Sequence, residues 1–203
     1  MRYYIADLHF FHKNLNDRLD KRGFKSVEEM NEYMIKQWNS RVRKNDEVIV
    51  IGDLSFGKGE ETNSILRRLN GKIFLIKGNH DHSFLNDPKF DRSLIGWVKD
   101  VCEMNDNGRK VILHHYPVLF YNGQYRVDKN GKPTNYMLYG HIHDTQDMRL
   151  LEEIKHLAEN FTYTDRRSGN TIHGIPMNVI NCFCMYSDYI PLTLDEWIAK
   201  QKA

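Results

Sequence analysis

Five apolar, strand-like runs in this chain each end in side chains that bind metal ions well. One such ending would mean little, but five in a chain of this size point to a common site. In open α/β sheets the carboxyl ends of the strands meet at one edge, so residues far apart in sequence converge there. We therefore predict an α/β fold with a divalent metal site at that edge. The endings are Asp7-Leu8-His9, Gly52-Asp53, Gly78-Asn79-His80-Asp81, His114-His115 and Gly140-His141-Ile142-His143.

Helical patterns alternate with these strands in the first half of the chain. Ser26 and Glu29 have the spacing of an N-terminal capping box, and apolar residues then recur at helical spacing, which predicts a helix that ends near Asn45. A second helix is predicted over 60–69, with Gly71 at its carboxyl end. Strands are predicted over 47–51 and 72–77.

The second half of the chain indicates a change to antiparallel pairing. Strand candidates over 97–104 and 110–115 flank Asn107-Gly108, a dipeptide typical of tight hairpin turns. The polar stretch 122–135 predicts a surface loop that overhangs the strand ends, and 150–173 predicts a helix through Glu159 followed by irregular structure. Further strands are predicted at 136–139 and 177–186, and Thr193 with Glu196 predicts a capped terminal helix.

Length and charge exclude several classes of protein. The 203 residues fit a single domain, 1–203, and no apolar run is long enough to span a bilayer. The net charge of +2 gives no basic surface of the kind that follows a polynucleotide, although nucleic acid stays open as a partner. The first strand begins at Arg2 or Tyr3, which leaves no space for a secretory leader, so we expect a cytoplasmic protein. The oligomeric state is not readable.

Cysteine usage agrees with a reducing compartment. The three thiols, Cys102, Cys182 and Cys184, cannot all pair and form no disulfide framework. Within the run VINCFCMY a strand period of two places Cys182 and Cys184 on one face. A zinc site would need a second Cys or His pair nearby, so we expect both to be buried apolar residues.

Each metal-binding motif admits a structural explanation when it is taken alone. Asp7 and His9 are two residues apart, so a continuing strand would direct both to one face, where they could hold a cation. Otherwise Asp7 bonds loop amides and His9 lies at the surface. Asp53 is either a turn former or a carboxylate that bridges two cations. His141 and His143 are either exposed loop histidines or ligands, and the preceding glycine would allow close approach to the backbone.

The segment Gly78-Asn79-His80-Asp81 is either a polar turn or part of a site. Asn79 offers a neutral oxygen ligand to a site that is already rich in charge. His80 then stands where a proton donor to a metal-bound substrate would stand. Asp81 could orient His80 or brace the loop. Without a common site, the five motifs would require five coincidences.

Taken in order, the motifs resemble those of the calcineurin-like metallophosphoesterases. The resemblance extends from Tyr3 to about Leu194. The stretches Asp7-Leu8-His9-Phe10 and His115-Tyr116-Pro117 look like those of the small, uncapped bacterial and phage members that are described as predicted phosphoesterases. Phe11 departs from the pattern, because those members usually carry glycine there. This change alters the rim of the pocket and leaves the ligands intact.

The resemblance implies both a fold and a set of ligands. The fold is a sandwich of two mixed β-sheets flanked by helices, in four layers. The match to His-Tyr-Pro selects His115 over His114, since neighbours on a strand face opposite ways. The ligands imply two divalent metal ions, with Asp7, His9 and His143 on one, Asn79, His115 and His141 on the other, and Asp53 bridging both.

An activity is implied as well. A hydroxide held between the two cations would attack a phosphodiester or phosphomonoester, with His80 as general acid. Manganese or iron is implied, zinc is also compatible, and magnesium suits so many histidines less well. The substrate would be a nucleotide or another small phosphoester. Candidate substrate contacts are His12, Asn14, Tyr116, Tyr121 and Tyr125.

Other functions are open on the same fold. One alternative is a non-catalytic metal-binding scaffold, like the retromer subunit of this fold, but such a protein is expected to lack several ligands that are present here. A protein phosphatase would need a larger grooved surface, and a repair nuclease would bring a capping region and a basic track. Hydrolysis of a small phosphodiester is therefore favoured.

Overall fold

Strands and helices alternate along the chain in a computed structural model, which describes residues 1–201. Within that range no helix has both the length and the apolar composition needed to cross a membrane. The elements are β1 (Arg2–Ile5), α1 (Val27–Arg41), β2 (Glu47–Ile51), α2 (Gly59–Leu66), β3 (Lys72–Ile76), α3 (His82–Leu85), β4 (Val98–Lys99), β5 (Val101–Asp106), β6 (Arg109–His114), β7 (Asn135–Tyr139), α4 (Gln146–Asn160), β8 (Thr162–Thr164), β9 (Thr171–His173), β10 (Val179–Asn181) and α5 (Leu194–Lys200).

Two four-stranded sheets form the centre of the fold. The first has the order β1-β2-β3-β4, and all of its strand pairs are parallel. The second has the order β10-β7-β6-β5, in which only β5 runs antiparallel to its neighbour. The turn between β5 and β6 is Asn107-Gly108, and both residues have positive φ (47° and 77°), as tight hairpin turns require. The predicted change to antiparallel pairing is confirmed.

Alternate residues of each strand face different layers. Tyr3 packs on the side of α1, in a cluster that contains Trp38, whereas Tyr4 packs between the two sheets with Leu138. Met137, the neighbour of Leu138, packs outward in a cluster with Leu151 of α4. The layers therefore follow the order helix, sheet, sheet, helix. The predicted α/β sandwich flanked by helices is confirmed, although the named strands of the first sheet are parallel, not mixed.

Helix ends differ from the sequence prediction by a few residues. α1 ends at Arg41 instead of near Asn45, because Val42 adopts an extended conformation (φ −73°, ψ 133°) and is fully buried in the core. α2 ends at Leu66. The turn after it includes Gly71, whose φ of +93° lets the chain reverse into β3.

Two predictions for the second half of the chain are wrong. The loop between β6 and β7 is tied to the start of β7, since Asn135 Nδ2 donates to the Asn122 carbonyl (3.1 Å) and Gln124 Nε2 to the Pro176 carbonyl (2.7 Å). It therefore does not overhang the carboxyl ends of the strands. Residues 162–173 form the hairpin β8–β9 instead of irregular structure.

The two neighbouring cysteines lie in different cores. β10 ends at Asn181, and a 3₁₀ helix begins at Cys184, so the strand period does not extend that far. Cys182 packs between the sheets, whereas Cys184 packs on the side of α1. Both thiols are free and buried. The expectation of burial is confirmed, and the expectation that the two residues share a face is wrong.

Candidate metal centre

The five motif segments meet at one edge of the two sheets. Each begins at the carboxyl end of a strand, either β1, β2 or β3 of the first sheet, or β6 or β7 of the second. Because these strands are parallel within each sheet, their endings lie side by side. The two sheets also bring their endings together, since His9 after β1 and His143 after β7 have their Nε2 atoms 3.3 Å apart.

Asp7, His9 and His143 form one group of candidate ligands. Each offers an atom within 4.8 Å of the other two, and all three are buried. The Nε2 atoms of His9 and His143 are 3.3 Å apart, and Asp7 Oδ1 lies 3.7 Å from His143 Nε2. Two imidazole nitrogens at this distance need a proton or a cation between them, so the group suits a divalent metal ion.

Asp53, His115 and His141 form a second group within the same distance limit of 4.8 Å. Asp53 and His115 are buried, and His141 is exposed. Asn79 joins the group, with its Oδ1 3.1 Å from His115 Nε2. His115 Nδ1 lies 3.1 Å from the Ile51 carbonyl oxygen. This contact favours a proton on Nδ1 and leaves Nε2 for a ligand role.

Asp53 stands between the two groups. Its Oδ2 is 3.5 Å from His9 Nε2 and 3.4 Å from His115 Nε2. Its Oδ1 accepts a hydrogen bond from the backbone N–H of His80 (2.9 Å). A carboxylate has enough lone pairs to contact two cations at once. The side chain therefore lies within reach of both groups of candidate ligands.

Five of the seven candidate ligands project from left-handed backbone, not from extended strands. Positive φ values occur at Asp7 (58°), His9 (50°), Asp53 (52°), His141 (72°) and His143 (46°). Since β1 ends before Asp7, the idea that a continuing strand places Asp7 and His9 on one face is wrong. Each non-glycine residue in this conformation costs about 1–2 kcal/mol. Surrounding contacts must therefore hold these loops in place.

Three motif glycines lie so close to candidate ligands that no side chain would fit. The absence of a Cβ atom lets one loop contact the ligand of another loop directly. Any larger residue would displace the ligand or the loop. The distances from an added Cβ atom are 2.1 Å from Gly52 to His115 Nδ1, 2.2 Å from Gly78 to Asp53 Oδ1 and 2.6 Å from Gly140 to Asp7 Oδ2.

Asp81 braces the loops around the site. Its carboxylate is fully buried and accepts hydrogen bonds from the backbone N–H groups of Asp53 (2.9 Å), Leu54 (2.8 Å) and Gly78 (2.7 Å). Burial and the charge of Asp53 raise the pKa of Asp81 to about 7. Of the two roles that the sequence leaves open, these contacts favour the brace over the orientation of His80.

Burial and ion pairing set the protonation of the candidate ligands. Burial lowers the pKa of His9. The partial burial of the His141 ring, together with the charge of nearby His115, lowers the pKa of His141. Both shifts favour the neutral imidazole, which offers a lone pair. Burial raises the pKa of Asp7 to about 6. Burial also opposes the charges of Asp53 and His115, but their mutual attraction outweighs it. The pKa of Asp53 falls below its usual range, and that of His115 rises to about 9, so a proton on His115 neutralises Asp53 when no cation does.

Two residues that contact the site were missed in the sequence. Asp20 Oδ1 lies 2.8 Å from His143 Nδ1, and Arg22 donates hydrogen bonds to both carbonyl oxygens of Asp7-Leu8. They follow a π-helical turn, Leu15–Leu19, a rare conformation that is frequent at functional sites. An Asp-x-Arg sequence in a polar stretch has no periodicity that would reveal it.

His80, His12 and Phe56 form one side of the rim. His80 is half-buried, and its ring centroid lies 5.5 Å from that of His9. The Phe56 ring is 47% exposed and lies 4.1 Å from the His12 ring and 5.5 Å from the His80 ring. An exposed phenylalanine beside the candidate proton donor was not anticipated from the sequence.

Tyr116 forms part of the rim beside the second group. Its ring lies 4.4 Å from the ring of His141, and it is 42% exposed. Its backbone N–H donates to His114 Nδ1 (3.2 Å), so His114 supports the turn while its neighbour His115 enters the site. Tyr121 is directed elsewhere, because its hydroxyl donates to the Asn178 carbonyl (3.1 Å). Two further candidate contacts, Asn14 and Tyr125, are exposed.

Phe11 adopts a φ of +68°, a conformation that glycine adopts without strain. The ring packs against Gly57, where an added Cβ atom would lie 2.7 Å from Phe11 Cδ2. The Phe11 N–H donates to Asn31 Oδ1 (3.1 Å). Gly57 therefore accommodates the larger side chain.

Comparisons with known proteins match this chain to one family and one fold. A model of the calcineurin-like phosphoesterase superfamily domain matches residues 3–157. An uncharacterized protein from Methanocaldococcus jannaschii is 36% identical over 143 residues, which are 70% of this chain and 68% of that protein. The crystal structure of a protein of unknown function from Aquifex aeolicus matches with a TM-score of 0.66 and 19% identity, over 99% of this chain and 98% of that chain. The match to the solved structure, at 19% identity, concerns the fold alone.

Proposed function

The chain belongs to the calcineurin-like phosphoesterase superfamily, and from that premise we propose that it hydrolyses a small phosphodiester with the help of two divalent metal ions. The position of Asp53 carries this proposal. Its Oδ2 atom lies 3.5 Å from His9 Nε2 and 3.4 Å from His115 Nε2, between the two groups of candidate ligands. A carboxylate in that place could hold two cations side by side.

The donor set supports this use of the site. Neutral imidazoles, carboxylates and one carboxamide suit manganese or iron, and also zinc. The cations, when bound, would supply a nucleophile from water and neutralise the oxygens of the phosphoryl group. We assign Asp7, His9 and His143 to one cation, Asn79, His115 and His141 to the other, and Asp53 to both.

His80 is assigned as the proton donor to the leaving group. The hydrogen bond from its backbone N–H to Asp53 Oδ1 (2.9 Å) holds it beside both groups. Its ring stands at the half-exposed rim, 5.5 Å from the His9 ring, where a substrate oxygen could depart. General acid catalysis of this kind contributes about 10²- to 10⁴-fold in rate. His80→Ala should lower kcat by that factor and leave the metal content unchanged. Loss of metal from this variant would overturn the assignment.

The rim supports a substrate with a planar group. Phe56 and His12 border His80, and Tyr116 borders His141. Aromatic rings pack on planar partners in offset or edge-to-face arrangements. A nucleotide or another small phosphoester with an aromatic part would use these rings. The near-neutral charge balance of the chain offers no comparable support for a polynucleotide.

The experiment that tests the proposal is a comparison of two chromogenic esters. Manganese-dependent hydrolysis of bis-p-nitrophenyl phosphate is measured beside that of p-nitrophenyl phosphate, with Asp53→Asn as the control for contaminating activity. Preference for the diester, lost in the variant, is the expected result. Preference for the monoester would instead indicate a phosphatase. Turnover of neither ester by protein that holds two metal ions would contradict the proposal.

A further inference from the structure

Arg22 is a buried, positively charged residue that belongs to none of the five metal-binding motifs. Its side chain is 0% exposed. One terminal nitrogen donates to the Leu8 carbonyl (2.7 Å) and the other to the Asp7 carbonyl (2.9 Å). Both acceptor residues are themselves fully buried. Without Arg22, these carbonyl oxygens would lose partners in a place where an unsatisfied polar group is costly.

Asp20 joins Arg22 to a candidate metal ligand. Its Oδ2 accepts from Arg22 Nε (3.1 Å) and from a terminal nitrogen (3.0 Å). Its Oδ1 lies 2.8 Å from His143 Nδ1. A carboxylate oxygen this close to an imidazole nitrogen accepts its proton, so Nδ1 of His143 is the donor and Nε2 is left to face Asp7 and His9.

The loop that Arg22 holds is strained. Asp7 and His9 both have positive φ (58° and 50°), and such residues persist only where surrounding contacts hold them. The Asp7 carbonyl also accepts from the Cys184 thiol (3.1 Å). Arg22 and Cys184 thus fix one carbonyl from two sides, and the Asp7 carboxylate then faces His143.

We propose that Arg22 and Asp20 are positioning residues. They hold Asp7, His9 and His143 in the arrangement that binds the cation of this group. Arg22 holds the Asp7-Leu8 backbone in its left-handed turn, and Asp20 fixes the orientation and tautomer of His143. This inference rests on the proposed function, because it assumes that this group binds a metal ion. It assigns no contact with substrate to either residue.

Asp20→Asn is the direct test, because the change preserves shape and removes one acceptor. The carboxylate accepts from Arg22 on one oxygen and from His143 on the other. An amide has one oxygen, so its NH₂ group must face one of these donors whichever way it turns. Asp144→Asn is the matched control, since Asp144 follows His143 directly but accepts from the Tyr186 hydroxyl (3.2 Å).

Manganese(II) is titrated calorimetrically into the metal-free full chain. The wild type should show two binding steps. In Asp20→Asn one step should weaken about 10- to 100-fold, as removal of a partner of a ligating histidine does elsewhere, while the other step stays unchanged. The visible absorption of the cobalt(II)-loaded protein should change as well, because His143 would be held less firmly. Asp144→Asn should match the wild type in both measurements.

Arg22→Lys tests the role of Arg22 in the same way. Lysine keeps the charge but lacks the planar fork, so it cannot reach two carbonyl oxygens and Asp20 together. The same binding step should weaken. Arg92→Lys is the control, because Arg92 donates to the Leu85 carbonyl (2.8 Å), outside the two ligand groups. If Arg22→Lys does not fold, Asp20→Asn decides the question without it.

Two results would overturn the inference. One is an Asp20→Asn protein with both wild-type affinities and the wild-type cobalt spectrum. The other is equal weakening of both steps together with a lower melting temperature in chelator, which is the result expected of a merely structural role. Failure of the proposed function would look different. The wild type itself would bind no manganese pair, or would bind it and hydrolyse neither ester.

Discussion

The metal-binding edge of the sheets and the segment 146–175 are built in opposite ways. At the edge, strained loops contact one another at glycines and buried carboxylates. One added Cβ atom at such a glycine would displace a loop or a candidate ligand. In the segment 146–175, helix α4 buries one of its 15 described residues, Leu151. Leu150 and Leu157 are 60% and 69% exposed.

This difference shows where the fold needs precision. A binding site must hold several side chains in fixed positions. Its loops therefore need many surrounding contacts to keep their strained backbone conformation. The hairpin β8–β9 has two strands that pair with each other, and an isolated pair of strands is only marginally stable. We therefore expect changes at the edge to be costly and changes in 146–175 to be tolerated.

The largest effect is expected from Gly78→Ala. The added Cβ atom would lie 2.2 Å from Asp53 Oδ1 and 2.4 Å from the Asp53 backbone nitrogen, so the loop or the ligand must move. We expect a loss of about 3 kcal/mol in the free energy of unfolding, the upper end of the usual cost of overpacking, measured by urea denaturation of the metal-free protein.

Gly169→Ala is the matched control in the hairpin. Gly169 has open space around its Cα atom but a φ of +71°, so alanine there meets backbone strain without a clash. We expect a cost of about 1–2 kcal/mol. Equal costs at the two positions would remove the contrast between the regions.

Bound metal should stabilise the metal-binding edge and leave the segment 146–175 unchanged. A cation present at 100 times its Kd stabilises the folded state by about 2.7 kcal/mol. Hydrogen exchange should therefore slow in the loops after β1, β2 and β3 when manganese is added, and stay the same in α4 and β8–β9. Uniform slowing over all amides would show that the two regions unfold together.

Asp81→Asn should have an intermediate effect. The carboxylate satisfies three backbone N–H groups in the interior, and an amide would leave at least one of them facing an NH₂ group. We expect a loss of about 1–3 kcal/mol, measured by thermal unfolding. Asp165→Asn is the control, since Asp165 accepts from the backbone and hydroxyl of Ser168 at an exposed turn. A larger loss at Asp165 would contradict the comparison.

The smallest effect is expected from Leu157→Gln. This side chain is 69% exposed on α4, and surface substitutions of this kind change stability by about 0.5 kcal/mol or less. The melting temperature should stay close to that of the wild type. A large drop would mean that this face of α4 is covered in solution.

Much of the site could be predicted because its residues lie in short motifs at strand ends. Asp7, Asp53 and His115 each follow an apolar run that is easy to recognise, and their convergence follows from parallel pairing. Their roles as metal ligands stay a prediction. Asp20 could not be found in this way. Its contact with His143 joins residues 123 positions apart and depends on a π-helical turn that no periodicity signals.

Local sequence determined the alternation of strands and helices in the first half of the chain, the Asn107-Gly108 hairpin and the candidate ligands, because propensity, periodicity and turn chemistry act over a few residues. Tertiary structure decided which way those ligands point. The left-handed conformation of Asp7 and the separation of Cys182 from Cys184 arise where loops from two sheets pack against each other. Such contacts join distant segments, and their energies outweigh local preference, so the chain must fold before they exist.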